Sequence, residues 1–173
     1  MHLTDSREIN ADRQTVWAAL LSADVLKECV PGCQEMTGSP EEGFEATVMQ
    51  KVGPVKATFK GAVSLSDIVE GDSLTLTGEG KGGAAGFAKG GAKVSLEDLP
   101  EGGTKLIYDV EAKVGGKLAQ LGSRIIDGFA KKMADQFFER FQQVVEGPGE
   151  ADDAAAEGED GEKKGWLKKV FSS

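Results

Sequence analysis

The strongest constraint on this chain is a change in the spacing of its apolar residues. From Gln34 to Ala112 they recur at every second position between turn residues, and from Leu118 onward at every third or fourth. A period of two describes strands with one wet and one apolar face, and a period near 3.6 describes an amphipathic helix. Phe44, Ala46 and Val48 share one strand face, while Glu45, Thr47 and Lys51 take the other. The longest alternation sets Val55, Ala57, Phe59, Gly61, Val63 and Leu65 against Lys56, Thr58, Lys60, Ala62 and Ser64. Leu74 and Leu76, then Val94 and Leu96, then Leu106, Tyr108, Val110 and Ala112 repeat the pattern. Leu118, Leu121, Ile125, Phe129, Met133, Phe137, Phe141 and Val144 then predict one amphipathic helix of about 25 residues.

Ahead of the sheet, Leu3–Ile9 reads as a strand. A helix capped at Asn10 follows, with Val16, Trp17 and Leu20 as its apolar positions, then a short helix over Asp24–Glu28 ended by Pro31-Gly32. One strand, two short helices, about six antiparallel strands and a long helix make an α+β fold in which a curved sheet wraps around the C-terminal helix. Ala46, Ala57, Gly61, Gly78, Gly80, Ala92 and Ala112 are small residues within the sheet. Two readings are open: they accommodate Phe59, Phe129 or Phe137, or they leave a cavity for an apolar ligand.

Charge divides the chain into three parts. Residues 1–146 form the domain, and their charge is mixed. Residues 147–162 carry seven acidic side chains and no basic one, and residues 163–173 carry four lysines and no acid. The pattern predicts a folded domain, an acidic disordered linker and a basic tail. With a formal net charge of −9 the chain lacks the basic surface that nucleic acid requires. No apolar run approaches the ~20 residues of a membrane span, and Met1–Asn10 lacks the apolar core of a signal peptide, so a cytoplasmic location is expected.

The sites that fail are informative. Gly78-Glu79-Gly80-Lys81-Gly82-Gly83 has dinucleotide-loop spacing, but Gly-rich strand continues after it where a helix N-terminus would be needed. The segment Gly78–Gly91 is then either a flexible hairpin that gates the cavity or contacts a partner, or a poorly packed surface hairpin. Cys29 and Cys33 flank a Pro-Gly; packing or loop roles fit them better than metal or redox chemistry, because too few further ligands exist. His2 is the sole histidine, placed at a mobile terminus, so no triad or His-based general base can be built, and neither catalytic residues nor a metal site are expected. Tyr108 is the sole tyrosine and sits on an apolar strand face, either as a core tyrosine or as a polar group aimed at a ligand carbonyl.

The tail carries its own signal. Wound as a helix, Trp166, Leu167, Val170 and Phe171 form one face, flanked by Lys163, Lys164, Lys168 and Lys169, the pattern of an interfacial membrane helix. A short motif docking into a partner's groove and a tail packed on its own domain are the competing readings. The 16-residue linker reaches ~20 to 25 Å as a coil and ~55 Å when extended.

Val16-Trp17-Ala18-Ala19-Leu20, Asp24-Val25-Leu26-Lys27, Cys29-Val30-Pro31-Gly32-Cys33 and the Val52–Gly61 segment Val-Gly-Pro-Val-Lys-Ala-Thr-Phe-Lys-Gly together resemble the CoxG family, the G subunits of carbon monoxide dehydrogenase. That family sits in the SRPBCC superfamily with START and Bet v 1 proteins, and the resemblance covers residues 1 to about 146. It implies the helix-grip fold. It also implies a non-enzymatic partner of a molybdenum carbon monoxide dehydrogenase or related hydroxylase, recruiting that enzyme to the cytoplasmic membrane. A respiratory quinone, menaquinone or ubiquinone, is the implied ligand, with no covalent cofactor. The expected cavity residues, taken from strand and helix faces, are Phe44, Val48, Phe59, Val63, Leu76, Tyr108, Phe129, Met133 and Phe137. A membrane adaptor or maturation factor without ligand, a general carrier of apolar molecules, and an enzyme using cavity residues are the alternatives.

Overall fold

Seven antiparallel strands form a single sheet in the computed structural model, which describes residues 1–146. The linker 147–162 and the tail 163–173 lie outside the described residues. Strand β1 (His2–Ile9) is followed by helices α1 (Arg13–Leu20) and α2 (Ala23–Cys29). Strands β2 (Cys33–Ser39), β3 (Gly43–Val52), β4 (Val55–Val69), β5 (Ser73–Lys81), β6 (Phe87–Asp98) and β7 (Thr104–Gly115) then run as a meander. Helices α3 (Lys117–Gln120) and α4 (Ser123–Val145) complete the domain. The sheet order is β1-β7-β6-β5-β4-β3-β2, so β1 and β2 are its edges. Among the described residues no helix is long and apolar enough to cross a membrane.

Three local expectations are corrected. The cap of α1 is Asp12, whose carboxylate accepts from the Thr15 N–H at 2.9 Å. Asn10 instead donates its own N–H to the Glu146 carboxylate at 2.7 Å, a tertiary contact that keeps it outside the helix. The short helix runs one residue further at each end than expected, capped by Ser22, whose hydroxyl accepts from the Val25 N–H at 3.3 Å. The single C-terminal helix is in fact two. Gly122 takes φ +90° and ψ 156°, a backbone conformation that glycine alone adopts readily, and separates α3 from α4. The apolar stripe passes through the break because Leu118 of α3 and Ile126 of α4 bury into one cluster with Val52.

Packing gathers into two cores placed at different points along α4. The larger joins Ile9, Val16, Trp17, Val25 and Cys29 to Leu96, Leu106 and the C-terminal half of α4. There Phe141 is 0% exposed. The smaller joins Val52 on β3, Leu118 on α3 and Ile126 on α4, with Phe59, Leu121 and Phe129 packed against it. The middle of α4, from Ala130 to Met133, belongs to neither.

Candidate functional site

The space between the two cores is a cavity of about 610 Å³, within the ~300 to 1,000 Å³ range of small-molecule sites. Its floor is the inner face of the sheet, including Phe44, Ala46, Val48, Gly61, Val63 and Leu76. Phe129, Ala130, Met133, Ala134 and Phe137 of α4 form its roof. Alternation along β3 and β4 puts Glu45, Ala62 and Ser64 on the opposite face, around a larger depression of about 1340 Å³ with mixed polar and apolar walls. That depression is the more open of the two, whereas the inner wall is almost wholly apolar, and apolar burial is the strongest source of affinity for a small ligand.

Eight of the nine expected cavity residues stand in its wall: Phe44, Val48, Val63, Leu76, Tyr108, Phe129, Met133 and Phe137. Phe59 does not. A Cβ built on Gly82 would meet the Phe59 ring at 2.5 Å, and Phe59 belongs to the smaller core beside Leu118 and Ile126. Its strand face is the expected one, but it lies too far along β4 to reach the cavity. Of the small residues, Ala46, Gly61 and Ala92 line the cavity; small side chains here leave volume unfilled.

Leu20, Leu21, Leu26, Val30, Pro31 and Met36 also line the wall and were not expected. Leu26 and Val30 stand at i and i+4 around the end of α2, a spacing that marks one apolar face. The segment that carries them is held to the sheet by the Gln50 amide, which donates to the Pro31 carbonyl, and by the Met49 N–H, which donates to Gly32 O at 2.9 Å.

Among the described residues, Tyr108 is the sole one in the wall with a side-chain oxygen or nitrogen. It is 5% exposed, and its ring stacks on Phe138 with 5.1 Å between centroids and 17° between planes. Arg7 on β1 donates to the Tyr108 oxygen at 3.4 Å and to the Asp135 carboxylate of α4 at 2.5 Å. Asp135 also receives Lys131 at 3.1 Å, and these two hydrogen bonds, Arg7 first, hold its carboxyl below the usual range. The guanidinium lies 5.2 Å from the Phe138 ring centre, a cation–π distance.

The remaining candidates fall elsewhere. His2 is not at a loose end: it opens β1, opposite Glu111, and its Nε2 meets Asp109 at 2.5 Å on an exposed surface. Cys29 is fully buried in the larger core, where burial first and Glu28 second push its thiol up to about 12. Cys33 opens β2 half-buried, its thiol raised by burial while it donates to Glu35 O at 3.2 Å. Both thiols are free. The glycine-rich segment turns through a short 3-10 helix, Gly83–Ala85, into β6, with Gly80 opposite Ala88, so no α-helix meets the would-be loop. Ala85 at the hairpin tip is buried. The membrane residues Lys163, Lys164, Trp166, Leu167, Lys168, Lys169, Val170 and Phe171 lie outside the described residues. Among the described residues no group of three metal-ligating side chains occurs.

The sequence signature of CoxG, the G subunit of carbon monoxide dehydrogenase, matches residues 6–146. None of the curated proteins matches the chain. A conserved protein from Geobacillus kaustophilus is similar in structure, with 27% identity, 84% of this chain and 95% of that chain covered, and a TM-score of 0.78. A START superfamily protein from Mycobacterium smegmatis is 14% identical over 84% of this chain and 97% of its own, with a TM-score of 0.63. A protein from Rhizobium leguminosarum gives 16% identity, coverages of 84% and 94%, and a TM-score of 0.66. These likenesses establish the START-like α+β fold.

Proposed function

The chain belongs to the CoxG family of carbon monoxide dehydrogenase, and on that premise we propose a non-catalytic accessory protein of a molybdenum carbon monoxide dehydrogenase or related hydroxylase. In this reading it holds a respiratory quinone, menaquinone or ubiquinone, in its cavity and brings the enzyme to the cytoplasmic membrane. One observation carries it: Val48, Val63, Leu76, Phe129, Met133 and Phe137 point inward yet remain half-buried, because they face empty volume. Apolar surface kept wet in this way favours an apolar guest.

The residues fit such a guest. A neutral ring on an isoprenoid chain needs an almost wholly apolar wall and a single polar contact, and this wall offers Tyr108 alone among apolar neighbours. When bound, a quinone supplies an acceptor for the electrons that oxidation of carbon monoxide releases. The protein's part is to shield the ring from water, orient it and carry it. The tail supports the membrane half by its pattern alone: four apolar side chains flanked by four lysines suit weak, reversible attachment to an anionic surface.

The test uses the full chain with phosphatidylglycerol vesicles that contain menaquinone. Protein should float with the vesicles, and protein released from them should carry quinone into the lipid-free fraction. Trp166→Ala with Phe171→Ala should abolish flotation while leaving the fold intact. Protein that floats but never carries quinone is a membrane adaptor, and the carrier reading is then wrong.

A further inference from the structure

Arg7 stands where the alternation along β1 calls for an apolar residue. Leu3, Asp5, Arg7 and Ile9 share one strand face; Leu3 lines the cavity and Ile9 is buried in the larger core. Arg7 therefore brings a charge to the inner side of the sheet, with its side chain 22% exposed. Asp135, 2.5 Å away, neutralises it.

The hydrogen-bond directions around this pair are unequal. A guanidinium only donates, so the Tyr108 oxygen accepts from Arg7, and among the described residues nothing accepts the Tyr108 O–H proton. Arg7 Nε–H is also buried without a partner among the described residues. Both unpaired groups are donors, and a buried polar group without a partner is costly in a native structure. Of the two, only Tyr108 stands in the cavity wall, while Arg7 lines the surface groove beside Asp135 and Glu139, so a cavity ligand that uses the free Tyr108 O–H presents an acceptor. The cation behind Tyr108 polarises its hydroxyl further toward donating. Because Asp135 already balances Arg7, the acceptor that suits the site is neutral, and a carboxylate would bring an unbalanced negative charge into an apolar space.

We propose that Tyr108 anchors the ligand by donating a hydrogen bond to a neutral carbonyl oxygen, with Arg7 and Asp135 as the positioning pair behind it. This rests on the carrier reading and adds the chemical feature the cavity selects: an apolar molecule ending in a carbonyl, chosen over a hydrocarbon or a fatty acid of similar size.

The experiment measures binding of three probes to the full chain: a menaquinone with a short isoprenoid tail, squalene and palmitate. Wild type should prefer the quinone. Tyr108→Phe should weaken quinone binding roughly three- to tenfold, the range of one net hydrogen bond, and leave squalene unchanged. Arg7→Met, which keeps the packing stem, should weaken the quinone alone as well. Unchanged squalene binding also reports that each variant is folded. Equal loss of quinone and squalene, or no loss of either, overturns the anchor while leaving the carrier reading standing. Palmitate binding more tightly than the quinone, and lost in Arg7→Met, overturns the neutral-carbonyl choice. A wild type that binds none of the three removes the carrier reading and the anchor with it.

Discussion

The ring of Tyr108 on β7 lies flat against that of Phe138 on α4, 5.1 Å between centroids. This stack joins the sheet to the helix where the larger core ends and the cavity begins. Phe138 also meets Phe137 edge-on at 5.0 Å, and Phe137 stacks on Phe141 at 5.7 Å. Phe138→Ala should therefore cost about 3 to 5 kcal/mol in urea unfolding, as for other buried aromatic truncations. A loss below 1 kcal/mol would show that the stack does not close the core.

Filling the cavity should separate stability from binding. Ala46 on the sheet and Ala134 on α4 both line the space. Ala46→Leu with Ala134→Leu places new side-chain volume where there is none, so thermal stability should hold or rise. Quinone binding should be lost. Retained binding would place the ligand elsewhere.

The Phe59–Gly82 contact predicts a coupled pair. Gly82→Ala sets a methyl 2.5 Å from the ring and should destabilise by about 1 to 3 kcal/mol, as overpacking does. Phe59→Leu should relieve part of that penalty, which a double-mutant cycle reads as coupling. Additive effects would contradict the contact.

Asp135 makes a pH prediction with a definite sign. Hydrogen bonds from Arg7 on β1 first and Lys131 on its own helix second hold its folded carboxyl below the unfolded range. Its contribution is therefore present above the usual carboxylate value near pH ~4 and is lost as pH falls through the lower folded value. Asp135→Asn should be less stable than wild type at neutral pH, and the two should converge in acid. A gap that persists in acid would contradict the pairing.

The thiols should react at different rates. Cys33 is half-buried at a strand start, whereas Cys29 is fully buried with its thiol pushed up to about 12. Iodoacetamide should label Cys33 first and Cys29 only on unfolding, read by mass spectrometry. Equal labelling of the native protein would contradict the packing of α2.

The sheet was legible because alternation is a strong signal: it placed Phe44, Val48, Val63, Leu76 and Tyr108 in the wall, and the helical period placed Phe129, Met133 and Phe137 there. Alternation fixes a face, though, and not a position along the strand. Phe59 and Val63 share the inner face of β4, but only Val63 reaches the cavity. The break at Gly122 was hidden because Leu118 and Leu121 continue the stripe of α4 across it. Asn10 and Asp12 are both good caps, and the choice between them is made by Glu146, more than 130 residues away in sequence. Arg7 did leave a trace in the sequence: the charged Asp5 and Arg7 interrupt the β1 face between Leu3 and Ile9, and Arg7 stands behind Tyr108.

The most direct test of the central claim is solvent extraction of gently purified full-length protein, followed by mass spectrometry. The account predicts an isoprenoid quinone at close to one per chain, absent from the Ala46→Leu, Ala134→Leu variant. Protein that yields no quinone, and that fails to bind added menaquinone or ubiquinone, would contradict it.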